Sequence, residues 1–377
     1  MAGEDDGLTS GMQRSTRDIA ELQSALQKWF ETTLPPGSAP QISVHGAAST
    51  NGMSSETVLL DASWSEGSKT RAEALVARMA PSLADVPVFP NYDLHRQFDT
   101  LNLIAKLTEV PVPKMLWLED DPAALGSPFF VMSRVEGEVP PDMLPYTFGD
   151  NWLYESSDAD LRVLQDSSVS VLAQLHAIEN AEETFGFLSF GTEGGDWLER
   201  HVAHTSAWYE FALADTGRSD LIENCFKWLY DHWPKEVSPT VLSWGDARIG
   251  NVMYRRYQPV AVLDWEMAGL GPRELDVSWM IFSHRVFQDI VEPLGLPGMP
   301  SFMLGDEVIE TYERLSGETI RDLAFYGTYA AIQWGIVFLR TGARQAHFGE
   351  ITFPDNPDDL LHHRHTLAKM AEGTYWD

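Results

Sequence analysis

Two short stretches carry residue types that could do chemistry: Leu242-Ser243-Trp244-Gly245-Asp246-Ala247-Arg248-Ile249-Gly250-Asn251, and Val262-Leu263-Asp264-Trp265-Glu266. Val260-Ala261-Val262-Leu263 is an apolar, β-branched run, Arg255 to Gln258 read as the turn before it, and Asn251 to Tyr254 is spaced to pair with it as a hairpin. Asn251 and Asp264 then fall toward the same end of the hairpin, and Asp246 sits on the preceding loop. Two carboxylates and an amide brought together in this way suit Mg²⁺, a hard cation that takes oxygen ligands and keeps several waters. Asp246, free of the metal, is suited to accept the proton of an attacking hydroxyl and to orient that oxygen in line with a γ-phosphate. The chemistry expected is phosphoryl transfer.

Such a unit needs a scaffold, and composition bounds it. At 377 residues and 44% hydrophobic content the chain exceeds the size at which one core stops growing, which predicts two packed lobes. Its 13 Trp, 18 Phe and 11 Tyr exclude a wholly disordered chain. The 56 acidic against 26 basic side chains give a formal charge of -30, which repels nucleic-acid phosphates and anionic lipid and would attract a cationic substrate. Cys225 is the one cysteine, so no internal disulfide forms, and no Cys/His spacing resembles a zinc site. The first residues lack the basic and apolar regions of a signal peptide, and no apolar run is long enough to span a bilayer. A cytoplasmic protein is expected, and nothing in the pattern specifies an oligomeric state.

Along the chain, residues 1–16 are polar and Gly-rich and read as a flexible N-terminus. Ile19, Leu22, Leu26 and Trp29-Phe30 recur at helical spacing. Gln41 to His45, Thr57 to Asp61 and Ala74 to Met79 read as strands, Tyr92 to Leu107 as a helix, and Val112 to Leu118 and Phe129 to Ser133 again as strands. Helical periodicity dominates afterwards, in Leu161 to Ile178, Trp197 to Ala214, Leu221 to Trp233, Arg273 to Val286, Asp306 to Leu315 and Ile320 to Thr341. The fold class expected is α+β, with residues 17–135 as an N-terminal nucleotide-binding lobe and residues 136–377 as a C-terminal catalytic and substrate-binding lobe.

The pattern Gly245-Asp246, Asn251 and Asp264 resembles the aminoglycoside phosphotransferase family, whose loop reads approximately His-Gly-Asp, four residues, Asn, with an Asp on the following hairpin. The resemblance implies a protein-kinase-like two-lobed fold with a small antiparallel-sheet lobe and a larger helical lobe. It makes Asp246 the catalytic base, assigns Asn251 and Asp264 to the Mg²⁺, and implies ATP as phosphoryl donor, with GTP open, and a small-molecule hydroxyl acceptor. Gly271-Pro272-Arg273-Glu274-Leu275-Asp276 resembles the family's downstream element, and Asp276 would brace the catalytic loop. The segment from His45 to Thr57 resembles the nucleotide loop and contributes Asn51, Gly52, Ser54 and Ser55, whose small neighbours let main-chain N–H groups approach phosphates. Arg78 would reach the α- and β-phosphates, and main-chain groups near Ser133 and Val135 would hold adenine.

Two departures from the family pattern stand out. Trp244 replaces the usual His, exchanging a polar contact for an indole with one donor, and Gln97 stands where a helix Glu would pair with the phosphate-contacting cation. Both motivate an alternative, a nucleotide-binding protein that has lost phosphotransfer; a metal-dependent hydrolase is a third reading. His362, His363 and His365 read as a solvated helix face, His176 as a packed histidine, and Trp197, Trp208, Trp228 and Trp233 as core with some bordering the acceptor cleft. Glu199, Glu210 and Asp215 are candidates to line that cleft and attract an amine, and aminoglycosides, amino alcohols, sugars and hydroxyacyl thioesters all stay open as acceptors.

Overall fold

The computed structural model describes residues 17–47, 55–142, 144–190 and 195–376. Asn51, Gly52 and Ser54 of the expected nucleotide loop, and the expected flexible residues 1–16, lie outside the described residues. The chain opens with α1 (Ile19–Thr33), capped by the Asp18 side chain on the N–H groups of Ala20 and Glu21. Next come β1 (Gln41–Ala47), β2 (Glu56–Glu66), β3 (Lys69–Met79), α2 (Leu94–Leu107), β4 (Met115–Glu119) and β5 (Phe129–Ser133). The five strands form one antiparallel sheet in the order β1-β2-β3-β5-β4.

The period of two sorts this sheet's residues onto two cores. Leu75, Ala77, Met79, Phe129 and Val131 face α1, where Leu26, Trp29 and Phe30 complete a separate apolar cluster. The Trp29 and Phe129 rings meet edge to face with centroids 4.9 Å apart. Val76, Phe130 and Met132 face the other way, onto Leu94, Leu101 and Ile104 of α2 and the main core. Arg78 shares that second face, so it points toward the larger lobe.

The second half is mostly helical: α3 (Asp158–His176), α4 (Ala181–Thr184), α5 (Trp197–Thr216) and α6 (Asp220–Asp231), then α7 (Glu274–Val291), α8 (Gly305–Ser316), α9 (Leu323–His347) and α10 (Arg364–Ala371). Two small strand pairs interrupt it: β6 (Thr240–Ser243) with β9 (Gly269–Pro272), and between them the hairpin β7 (Val252–Arg255) with β8 (Gln258–Val262). The lobes are stitched together at several points. Trp208 Nε1 donates to Val88 O at 2.8 Å, Arg340 donates to Pro87 O through Nε and Nη2, and Val262 N donates to Pro111 O at 2.7 Å. No helix among the described residues is long and apolar enough to cross a membrane.

Four expectations need correction. The second strand runs on to Glu66 rather than ending at Asp61. The third strand begins at Lys69 rather than Ala74, because β2 and β3 run on as a ribbon to a two-residue turn at Gly67-Ser68, where charged side chains hide the alternation. The strand expected from Val112 begins only at Met115. His363 is not on a solvated face. It precedes the first turn of α10, points inward, and its Nε2 donates to Ala331 O at 2.9 Å, while His362 and His365 are exposed.

His363 and His284 are both buried imidazoles, the second bridging Met299 O and the Tyr146 hydroxyl. Burial pushes both down to about 4. An unfolded histidine titrates near ~6.5, so the stability these neutral rings contribute is complete above that pH and is lost as pH falls toward about 4, on the order of 3 kcal/mol for each ring. The thermal unfolding midpoint is therefore expected to be level from about pH 8 to 7 and to fall from about pH 6.5 downward. A midpoint unchanged down to pH 5 would contradict this.

Candidate active site

The loop between β6 and the hairpin is held from below by a single carboxylate. Asp276, in the first turn of α7, is wholly buried, and its Oδ1 accepts from Ser243 Oγ (2.7 Å) and Gly245 N (2.9 Å). Its Oδ2 accepts from Trp244 N (2.8 Å) and meets His176 Nε2 at 3.0 Å. His176 is turned in place by Tyr312, whose hydroxyl lies 2.7 Å from Nδ1. Burial would raise the Asp276 pKa, but the histidine, the two main-chain N–H groups and the Ser243 hydroxyl outweigh it and hold the group below the usual carboxylate range. The bracing role expected of Asp276 therefore has a geometry, and His176, expected as a packed histidine, is what orients it.

Above this brace the loop turns at Gly245, whose φ of +88° and contact with Met267 O leave no room for a side chain. Trp244 is fully buried, and its Nε1 donates to Leu263 O (2.9 Å) and Asp264 O (3.2 Å). The expected loss of a polar contact at this position is thus corrected: the indole ties the loop directly to the residue pair on the hairpin. Asp246 follows. Its Oδ1 accepts from Arg248 Nε and Trp279 Nε1, both at 2.8 Å, and no described side chain donates to Oδ2.

The hairpin closes as expected, with Val252 opposite Val262 and Leu263 N donating to Asn251 O at 2.8 Å. Asn251 Nδ2 donates to Asp246 O at 3.1 Å, which leaves its amide oxygen as the atom for a cation. Asp264 has φ +61°, uncommon for a residue other than Gly, and this turns its carboxylate out of the strand direction. Among the described residues no cluster of three or more His, Cys, Asp or Glu makes a complete metal cage. An amide oxygen and one carboxylate fit Mg²⁺, which usually takes few protein ligands and completes its shell with water and phosphate.

Arg78 is central in the sheet and nearly buried, and its Nη2 lies 2.6 Å from both Asp264 Oδ1 and Glu266 Oε1. Burial opposes its charge, yet the two carboxylates outweigh it and raise its pKa. Its Nε is buried with no hydrogen bond among the described residues. Gln97 lies beside it, as expected, in a pocket shared with Phe130, Met132 and Asp264. The carboxylate that pairs with the cation comes instead from Glu266, two residues past Asp264. No role is expected of Glu266 from its sequence neighbourhood; the signal for it is the alternation in Asp264-Trp265-Glu266, where Trp265 turns into the core.

Of the expected adenine contacts, the N–H groups of Ser133 and Arg134 are already engaged by Lys114 O and Ala74 O, so Val135 carries the first N–H beyond the ladder. Ser55 is buried immediately before β2. Beside Gly245 and Trp279 opens a second pocket, lined by Phe89, Phe190, Trp208, His201 and His204 together with Glu266. His201 is pushed down to about 4 by burial and then by its neighbour His204, which burial also lowers, so both rings are neutral at pH 7. Glu199, Glu210 and Asp215 do not line this pocket. Glu199 closes the capping box of α5, Glu210 is exposed, and Asp215 pairs with Arg340. Of the four Trp residues expected around core and cleft, Trp208 alone borders it.

Asp276→Ala is expected to destabilise the fold by about 3–5 kcal/mol, because it strips the acceptor from two main-chain N–H groups and from His176 Nε2. Trp244→Phe keeps one aromatic ring but removes the donor and leaves a cavity where the rest of the indole stood, and is expected to cost about 2–3 kcal/mol. Denaturant midpoints at constant slope check both, and an Asp276→Ala loss no larger than that of Trp244→Phe would show that the brace is not the anchor.

Several known proteins are similar to this chain. Among curated relatives, "Probable acyl-CoA dehydrogenase IBR3" of Arabidopsis thaliana is 26% identical over 231 residues, 55% of this chain and 26% of that protein. "Acyl-CoA dehydrogenase family member 10" of Mus musculus is 26% identical over 243 residues, 64% of this chain and 21% of that protein. The chain thus spans about a quarter of the length of these relatives. Among solved structures, a Ralstonia eutropha JMP134 chain superposes with a TM-score of 0.62 at 22% identity, covering 94% of this chain and 98% of that one. ADP-bound aminoglycoside phosphotransferase APH(2'')-Ib superposes with a TM-score of 0.52 at 12% identity, covering 95% and 99%. These likenesses establish the two-lobed, kinase-like α+β fold. A sequence model of the phosphotransferase enzyme family matches residues 71–325, more than half of the chain and the whole of the Asp246 to Asp276 unit, and the chain belongs to that family.

Proposed function

We propose that the protein is a small-molecule kinase that moves the γ-phosphate of ATP to a hydroxyl, with Asp246 as base and with Asn251 and Asp264 as the protein ligands of Mg²⁺. One observation carries the reading: Asn251 Nδ2 donates to Asp246 O, Leu263 N donates to Asn251 O and Trp244 Nε1 donates to Asp264 O, so the three residues are linked through a loop and hairpin that Asp276 braces. The metal, when bound, neutralises charge on the phosphates. The remaining work falls to the chain. Trp279 and Arg248 hold Asp246 through Oδ1, so Oδ2 is the atom that takes the acceptor's proton. The new bond joins the acceptor oxygen to phosphorus, and the bond from phosphorus to the β–γ bridging oxygen breaks, its electron pair leaving with the nucleoside diphosphate. Arg78 is the cation for the α- and β-phosphates, and its orphaned Nε supports that role. ADP in one solved relative and GDP in another support a nucleotide here, with ATP as the expected donor and GTP as the competitor to compare.

Among acceptors, the pocket beside Gly245 favours a metabolite alcohol with an uncharged, apolar body over a polycation, since its walls are aromatic and its histidines neutral. Among the described residues the carboxylate lining it is Glu266, which is already paired with Arg78. The relatives named for acyl-CoA dehydrogenation add hydroxyacyl thioesters to the compounds worth trying.

Labelled ATP and Mg²⁺ with a panel of aminoglycosides, amino alcohols, sugars and hydroxyacyl thioesters tests both statements. Phosphate is expected on an uncharged acceptor, and Asp246→Asn is expected to lower kcat by about 10²–10⁴-fold while nucleotide binding persists. Turnover unchanged in Asp246→Asn, or inorganic phosphate released with no acceptor labelled, would overturn the kinase reading; phosphate appearing on aminoglycosides alone would overturn the acceptor class.

A further inference from the structure

We propose that Arg248 is a second catalytic residue, a guanidinium that grips the transferring phosphoryl group, and that Asp142 is the positioning residue that holds it ready. The proposal rests on the kinase reading of the site.

Arg248 lies two residues after Asp246 and is largely buried. Its Nε donates to Asp246 Oδ1 at 2.8 Å, its Nη1 is paired with Asp142, and its Cζ stands 5.9 Å from the centre of the Trp334 ring. Nη2 makes no hydrogen bond among the described residues and keeps some exposure to solvent, the side chain as a whole being 14% exposed. One arm of the fork thus holds the base, a second is fixed, and the third is available.

Asp142 arrives from the other direction, on the segment just past Pro140-Pro141 that links the sheet to the helices. Its carboxylate fills the space where a Cβ of residue 250 would stand, which requires Gly250 in the loop. Burial raises its pKa, and Arg248 opposes that rise. Arg248 in turn feels Asp142, Asp246 and Asp264, and these outweigh its burial, so it stays charged throughout the working pH range.

A buried ion pair is a poor device for stability, because desolvating both charges costs about as much as their attraction returns. It is a good device for presenting a charge in fixed geometry. The nucleotide must bring several negative charges into a chain of formal charge -30, and the guanidiniums paired with the carboxylates of this site are Arg78 and Arg248. Arg78 reaches Asp264 from the sheet; Arg248 reaches Asp246 and is the one beside the reacting hydroxyl. As the acceptor oxygen bonds to phosphorus and the proton passes to Asp246, charge builds on the equatorial phosphoryl oxygens. A planar fork already oriented by Asp142 meets that charge without rearrangement.

The test uses the full chain with Mg-ADP, titrated calorimetrically with and without aluminium fluoride, which mimics the phosphoryl group in transit. Arg248→Met is expected to leave Mg-ADP affinity within about twofold and to abolish most of the tightening produced by fluoride, while kcat falls about 10²–10³-fold with little change in nucleotide KM. Arg248→Lys, which keeps charge and loses the fork, and Asp142→Asn, which keeps shape and loses the anchor, are expected to fall between. Arg248→Lys also carries the test if the methionine variant does not fold. If wild type tightens with fluoride and the Arg248 variants tighten equally, or if they lose Mg-ADP itself to the same degree, Arg248 is a structural ion-pair residue and the proposal fails alone. If wild type neither tightens with fluoride nor transfers phosphate, the kinase reading fails and takes the proposal with it.

Discussion

Everything at this site hangs from the buried carboxylate of Asp276. It is the acceptor for the first two N–H groups of the catalytic loop and for the last side chain of β6, and it does this from the first turn of α7, where a helix favours negative charge. A charge with no exposure survives only if every lone pair is used, and here donors converge on both oxygens. The loop above cannot drift without breaking several of these bonds together. The positive φ of Gly245, the approach to Met267 and the placement of Asp246 two residues on all follow from that fixed floor.

The second constraint runs between the lobes. Arg78 belongs to the sheet, whereas Asp264 and Glu266 belong to the segment after the hairpin, and their ion pairs span 186 and 188 residues of sequence. The same carboxylate is therefore the partner of a sheet cation and the expected ligand of the metal. Under the proposed function, a nucleotide between the lobes would meet Arg78 already engaged, so phosphate and carboxylate would compete for one guanidinium. Glu266 eases the competition, because it keeps Arg78 paired and oriented if Asp264 turns toward a cation.

Legibility in the sequence followed the range of the interactions. Periodicity located the sheet strands and long helices to within a few residues, because alternation and helical repeats are local signals. It failed at Lys69 to Glu73, where a solvated ribbon has no apolar face, and at His363, where burial is decided by α9 packing from elsewhere. Asp246, Asn251 and Asp264 were legible because one short loop and one hairpin carry all three. Glu266, Asp142 and Trp279 were not, since their roles appear only when separate elements meet: Trp279 reaches Asp246 from α7, and Asp142 reaches Arg248 across 106 residues. Glu199, Glu210 and Asp215 were misjudged for the same reason, as residue type alone says nothing about which side of α5 meets the pocket.

Trp244 and Gln97, the two departures from the family pattern, carry the remaining argument. Each looks like a loss when read in place. Gln97 removes a carboxylate from α2, yet Glu266 supplies one to the same guanidinium from the opposite lobe, so the cation keeps its partner and changes only its source. Trp244 replaces a ring with two nitrogens by one with a single donor, yet that donor reaches the carbonyls of Leu263 and Asp264, which belong to the peptides before and after Asp264, a residue at φ +61°. A left-handed Asp is strained and persists only where its surroundings over-determine it. The indole does this while its own bulk stands 5.8 Å, ring to ring, from Trp265, which is anchored in the same core. The motif's least typical residue is thus what fixes the backbone that presents the carboxylate proposed to hold the metal.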